Sequence, residues 1–278
     1  MKIFIDSRHR TNGQNEDFIW QLPASVDLPD SICYVDEVLV PNCIYSIVAG
    51  VNDRIRFLED HVAAPGATAV IWAKECVIPE GQYNGITLAD ALQTAMRSVT
   101  TFSPQTQISV VFDTARAKLK ISLAAPNNSQ VRIFPDGALA SFNSQQGLYT
   151  VDLSNTQSAG KVCGFLGTAV ITASTTTDAF GDSVIDVQRH HACYIHSDLA
   201  QPGSTIGALG ESDIIRRVVI QAPQNGLAVD RHSTQYDYID VPSMPLRSMR
   251  FRLAGVDGKT INLHGHHWSF SLIFHEKV

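Results

Sequence analysis

"MRFRLAGVDGKTINLHGHHWSFSLIF", residues Met249 to Phe274, holds two segments of strict period-two alternation. Met249, Phe251 and Leu253 alternate with Arg250 and Arg252, while Trp268, Phe270, Leu272 and Phe274 form a second apolar row. Successive side chains of a strand point to opposite faces, so each segment has one apolar face to bury. Asp257-Gly258 supplies turn chemistry between them, since glycine accepts the positive φ of a tight turn. The stretch reads as a closing hairpin.

The same period extends outward. Phe18, Trp20 and Leu22 alternate with Ile19 and Gln21, and Tyr34 to Val40 is a β-branched run that stops at Pro41-Asn42. Further strands are expected at Ala192 to Leu199, Ile214 to Gln221 and Gln235 to Val241, and, in the middle of the chain, at Ile55 to Phe57, Ala69 to Val77, Ile108 to Asp113, Leu119 to Leu123 and Val131 to Phe134. One segment breaks the pattern. Leu88, Ala91, Leu92, Ala95, Met96 and Val99 recur at helical spacing, with Thr87 read as N-cap and Asp90 behind it. From Phe142 to Asp182 the chain is rich in Ser, Thr, Gly and Ala and reads largely as loop.

These elements predict an all-β protein, an antiparallel β-sandwich of jelly-roll type with an inserted α+β unit carrying one helix near 87–99. The sandwich is assigned to residues 1–53 plus 185–278 and the insertion to 54–184. Two tandem sandwiches split near 160–185 are the competing layout.

Composition narrows the function. The 278 residues are 44% hydrophobic and only 17% charged, a low charge density that suggests surface covered by neighbours. A net charge of −6 argues against an overall electrostatic partner for DNA or RNA, so no specific nucleic acid is expected. No segment has the run of about 18 apolar residues that a membrane helix needs. The start MKIFIDSRHR lacks the apolar region of a secretion signal, and Cys33, Cys43, Cys76, Cys163 and Cys193 form no CxxC pair, so they read as reduced and mostly buried.

Candidate chemistry is sparse. His264 and His266 of HGHH would share a strand face and could hold a metal, yet the sequence offers no third and fourth ligand; RHH at 189–191 is equally incomplete. Surface or interface histidines are the preferred reading. Cys193 lies between His191 and His196, which could lower its pKa, but a strand cysteine is usually core filler. Asp36 and Glu37, like Asp237 and Asp240, have opposite strand parity and cannot share one acid–base site. No G-x-S-x-G elbow occurs, and GFLG and PGSTIG lack the spacing and lysine of a phosphate cradle. No catalytic, cofactor-binding or metal-binding residue is therefore assigned, and no cofactor is expected.

Four stretches carry a family resemblance: DSRHRTNGQNEDFIWQL, YVDEVLVPNCIYSI, IPEGQYNGITLADALQTAM and FRLAGVDGKTINLHGHHWSFSLIF. Together they resemble the penton and minor capsid jelly-roll proteins of virophages, Polinton-like viruses and related eukaryotic double-stranded DNA viruses. The resemblance implies a non-enzymatic virion protein, assembled inside the host cell, that forms a homo-oligomer. A pentamer is favoured and a trimer is possible, with the major capsid protein and other virion proteins as partners. It also frames the polar opening, Met1 to Asp17, as an arm that docks on an adjacent subunit, against the alternative that Ile3 to Asp6 pairs within its own sandwich. The rival functional class is a spike- or fibre-like β module that binds carbohydrate or a receptor.

Overall fold

In the computed structural model the described residues are 1–62, 67–68, 70–125, 129–134, 139–143, 148–152, 157–167, 169–172, 179–200, 205–231, 234 and 237–277. In chain order the elements are β1 (Lys2–Asp6), β2 (Asn12–Gly13), β3 (Asp17–Leu28), β4 (Ser31–Pro41), β5 (Arg54–His61), β6 (Val70–Val77) and α1 (Gly85–Val99). There follow β7 (Ile108–Asp113), β8 (Lys118–Leu123), β9 (Gln130–Ile133), β10 (Leu139–Asn143), β11 (Leu148–Asp152), α2 (Gly160–Cys163), β12 (Ala169–Thr172) and β13 (Ala179–Phe180). The chain ends with β14 (Ala192–Ser197), β15 (Ile214–Val219), β16 (Leu227–Asp230), β17 (Ile239–Val241), β18 (Met244–Ala254) and β19 (Ser269–Glu276). Two compact units result, Met1–Ile44 with His190–Val278 and Tyr45–Arg189.

The discontinuous unit contains two sheets. Sheet one runs β1-β19-β4-β16 with β17 also on β4, and sheet two runs β15-β14-β18-β3-β2. All pairs are antiparallel, and the main ones are nested: β1 with β19, β3 with β18, β4 with β16, β14 with β15. Pairing first with last, second with second-last and so inward is a ribbon rolled into a sandwich, the jelly roll. One expectation is corrected. β18 and β19 belong to different sheets, so Met249–Phe274 is no hairpin; it turns at Gly258 (φ 70°) and crosses between sheets.

That crossing carries the centre of the core. Phe18 and Phe251 from sheet two meet Trp268 and Phe270 on the sheet-one side, with ring centroids 4.8–5.9 Å apart. Trp268 is 1% exposed, and its buried indole N–H donates to the Asn15 carbonyl at 2.7 Å. Burying a polar atom without a partner costs several kcal/mol, so the tryptophan demands a fixed backbone acceptor. The polar opening supplies it. Ser7 N–H donates to the Trp268 carbonyl (3.0 Å), Trp268 N–H donates to Ser7 Oγ (3.1 Å), and Leu263 N–H donates to buried Glu16 Oε1 (2.8 Å). Gly13 turns this segment at φ 92°, where a Cβ would lie 2.3 Å from the Asp17 carbonyl oxygen. The free-arm expectation for Met1 to Asp17 is thereby overturned: Lys2–Asp6 pairs with β19, and the rest of the segment is stitched to the strand crossing.

At the other side of the sandwich Arg216 of β15 closes the gap between the sheets. It is buried, makes a bidentate pair with Asp230 of β16 (2.9–3.1 Å) and reaches Asp237 at 2.9 Å. A planar guanidinium bonding two carboxylates satisfies the charge that burial would otherwise penalise.

The continuous unit packs α1 against a three-stranded sheet, β13-β8-β7, and a four-stranded sheet, β12-β9-β5-β6; β10 and β11 pair separately. Leu88, Leu92, Ala95 and Met96 are buried as the helical spacing requires. The cap is corrected from Thr87 to Asn84, whose side chain accepts from Ile86 and Thr87 N–H, while Thr87 Oγ1 accepts from Asn84 N–H. Residues 142–182, read as loop, contain short strands and α2 among their described positions. β12 and β13 form because β9 and β8 offer an open edge, an interaction no local pattern announces. Buried Glu59 of β5 is held by Thr100 and Thr101, with Thr101 N–H donating to Oε2 at 2.9 Å.

Two outcomes are expected from this packing. Trp268→Ala lowers unfolding free energy by about 3–5 kcal/mol through the cavity it leaves, read from urea denaturation midpoints. Arg216→Ala costs about 3–5 kcal/mol, because it removes the buried cation that Asp230 and Asp237 both face, whereas an Arg216→Met, Asp230→Leu double variant recovers part of that loss in the same assay.

Candidate assembly surface

Strand parity decides what the outside of sheet one presents. Ile3, Ile5, Val38, Val40, Phe270, Leu272 and Phe274 point inward and are buried. The alternate positions point outward, and the register aligns them in rows: Phe4 beside Ser271 beside Glu37, Ser269 beside Leu39 beside Val229, Lys2 beside Ile273 beside Tyr34. Phe4 is 73% exposed, and Leu227 and Val229 are also open to solvent. Tyr34 adds ring contacts to Tyr238 and His275.

Ser269 and Ser271 are small residues between large ones, so the face dips there. The result is a groove of about 300 Å³ whose walls include Phe4, Leu39, His9 and Glu37. Its surrounding charges are neutralised within the chain. Lys2 pairs with Asp36 (2.6 Å), Arg8 with Asp6 (2.6 Å) and Arg231 with Glu37 (2.7 Å). The hydrogen bond from Arg8 holds the Asp6 carboxyl below the usual carboxylate range, and that from Lys2 does the same for Asp36. An apolar face ringed by neutralised polar groups has the anatomy of a protein interface.

A second apolar feature projects from the loop between β14 and β15. Ile206 is 82% and Leu209 67% exposed, and the latter reaches over the turn that bears Val256, itself 55% exposed. The loop is braced by its own hydrogen bonds, Gly207 N–H to the Glu211 carbonyl (2.7 Å), Gly210 N–H to the Gly207 carbonyl (3.1 Å) and Leu209 N–H to Glu211 Oε2 (3.0 Å). Leaving each such side chain in water forgoes roughly 1.5–3 kcal/mol of burial.

The outside of sheet two holds a cluster of bonded polar groups beside the exposed Val219. Arg250 binds Asp17 through two hydrogen bonds (2.7 and 2.9 Å), Arg252 donates to the Gly258 carbonyl, and buried His196 meets Asp213 at 2.6 Å. These groups line a recess of about 290 Å³ with Ser197 and Asp198. Ser197 Oγ turns to Asp198 Oδ1 (3.4 Å) and His196 Nδ1 meets Asp213 (2.6 Å); among the described residues no hydrogen bond joins this serine to this histidine.

The sequence candidates scatter. HGHH lies in a turn rather than a strand, with His264 at φ 51°, so His264 and His266 do not share a strand face. His190 is buried beside Gly255, and His267 contacts Ser7. Among the described residues no three His, Cys, Asp or Glu side chains converge as metal ligands. Cys193 is a core residue whose thiol burial pushes up to about 12, opposite to the shift reactivity needs. All five cysteines are buried, and none forms a disulfide. No helix among the described residues is long and apolar enough to cross a membrane. Neither the groove nor the exposed loop was singled out from sequence. Their signals were the serines of WSFSLIF on the strand's outward parity and the apolar, glycine-punctuated IGALG at 206–210.

The nested strand pairs define a jelly-roll protein with an excursion between β4 and β14. Among solved structures, the chain matches the selenomethionine-labelled mavirus penton protein over 100% of both chains, with a TM-score of 0.54 and 9% identity. The resemblance drawn from the sequence is thus met at the level of fold. No protein-family model matches the sequence, and no curated protein does.

Phe4→Asp places an unpaired charge on the open face without touching the core. In dilute, unassociated protein it is expected to leave the melting temperature within about 2 °C of the parent, a shift typical of surface substitutions, while reducing binding of a hydrophobic dye to the native protein.

Proposed function

We propose that this protein is a non-enzymatic structural component of a viral capsid, a penton or minor capsid protein that assembles into an icosahedral shell through protein–protein contacts. The observation that carries the reading is the full-length match in fold to a virophage penton protein. The surface supports it independently: the outer face of sheet one exposes Phe4, Leu227 and Val229 among polar residues, and the ion pairs Lys2–Asp36 and Arg231–Glu37 are closed within the chain. A face without unsatisfied charge can be covered by another protein at little desolvation cost. The protein's place is then the virion, its assembly takes place inside the host cell, and its partners are further copies of itself, the major capsid protein and other virion proteins.

A vertex position calls for a closed ring of five copies, since cyclic symmetry is the only arrangement that satisfies head-to-tail contacts without open ends. Mass measurement in solution across protein concentrations tests the reading. The expected result is a discrete species at five times the 30.4 kDa chain mass, seen as a ring on imaging. A species that stays monomeric at every concentration and binds glycans on an array contradicts it in favour of a receptor-binding module.

A further inference from the structure

We infer that Asn12 is a site of self-modification, at which the Gly13 backbone nitrogen closes on the Asn12 side chain and converts it to aspartate and isoaspartate with release of ammonia. This chemistry is independent of the capsid reading. Three Asn-Gly pairs occur in the chain, Asn12-Gly13, Asn84-Gly85 and Asn225-Gly226, and in each the glycine leaves the attacking nitrogen unshielded by a Cβ. The fold tells them apart.

At Asn12-Gly13 both residues are exposed, and Gly13 N–H donates to Asn12 Oδ1 at 2.7 Å, which holds the nitrogen beside the side-chain carbonyl it attacks. Holding two reacting groups together removes much of the entropy cost of their meeting. At Asn84 that carbonyl is committed elsewhere. Its Oδ1 accepts from Ile86 N–H (3.0 Å) and Thr87 N–H (2.9 Å) as the cap of α1, and Gly85 lies so close to the Phe112 ring that a Cβ would be 2.6 Å from it. At Asn225 the nitrogen is committed instead, since Gly226 N–H donates to the Pro223 carbonyl at 2.9 Å. Reaction at either of these two sites first has to break hydrogen bonds that the fold supplies.

The step balances with water alone. Once the Gly13 amide gives its proton to solvent base, the N–Cγ bond forms and the Cγ–Nδ2 bond breaks, and Nδ2 takes a proton from solvent and leaves as ammonia. Water then opens the cyclic imide at one carbonyl or the other, and nothing is oxidised or reduced. Either product adds a negative charge, and isoaspartate also lengthens the main chain by a carbon. That carbon enters the turn whose Gly13 carbonyl accepts Arg10 Nε (3.1 Å), between the stitches that Ser7 and Asn15 make to Trp268.

The test incubates the folded full chain at mildly alkaline pH, with a guanidinium-unfolded sample alongside, and weighs the peptides from each. In the folded sample Asn12 is expected to gain the mass of an NH2-to-OH exchange roughly tenfold or more faster than Asn84 or Asn225, with isoaspartate among the products, whereas unfolding brings the three rates within a few-fold of one another. The Asn12→Gln chain is expected to lose the acidic band that the parent gains on isoelectric focusing. Equal rates at the three sites of the folded chain overturn the inference. So does an Asn12 that stays an amide in the folded chain while the unfolded sample converts, or an acidic band that persists at parental intensity in Asn12→Gln. None of these outcomes bears on the capsid reading.

Discussion

The sandwich depends on one buried tryptophan whose indole nitrogen has to find an acceptor. Trp268 fills the space between the sheets against Phe18 and Phe270, and its N–H reaches the Asn15 carbonyl. That single requirement explains why a polar stretch at the start of the chain is tied to the sandwich by hydrogen bonds. Ser7, Asn15 and Glu16 lie where they do because the last strand crossing needs their backbone and side-chain oxygens. The first and last strands then pair, and the nested order of the remaining pairs follows as the ribbon rolls up.

Much of this architecture was legible because burial imposes periodicity. The rows Met249-Phe251-Leu253 and Phe270-Leu272-Phe274 are buried on the parity the sequence gives them, and the helical stripe of α1 lies on its core. What escaped were features decided by partners rather than patterns. Residues 6–16 look solvated because they are polar, yet polarity says nothing of whether hydrogen bonds await inside. Asn84 and Thr87 are both competent caps three residues apart, and only the backbone path distinguishes them. The short strands between 139 and 180 are strands because an open edge receives them. HGHH looked like strand chemistry, but a left-handed His264 and Gly265 make it a turn.

The division of labour between the two outer faces follows from the same alternation. On sheet two the outward positions carry Arg250, Arg252 and His196, each bonded to a neighbour, beside the exposed Val219. On sheet one they carry Phe4, Leu39, Leu227 and Val229 around two serines, a surface whose free energy falls when water leaves it. That arrangement suits the proposed shell role, in which such a face is covered by a neighbouring subunit.

Hydroxyl-radical footprinting across the assembly transition tests the central claim most directly, since it reports side-chain exposure residue by residue. The account predicts that Phe4 and Leu39 lose reactivity as copies associate while Tyr194 on sheet two keeps its own. Association that leaves Phe4 and Leu39 as reactive as in the dilute protein would contradict it.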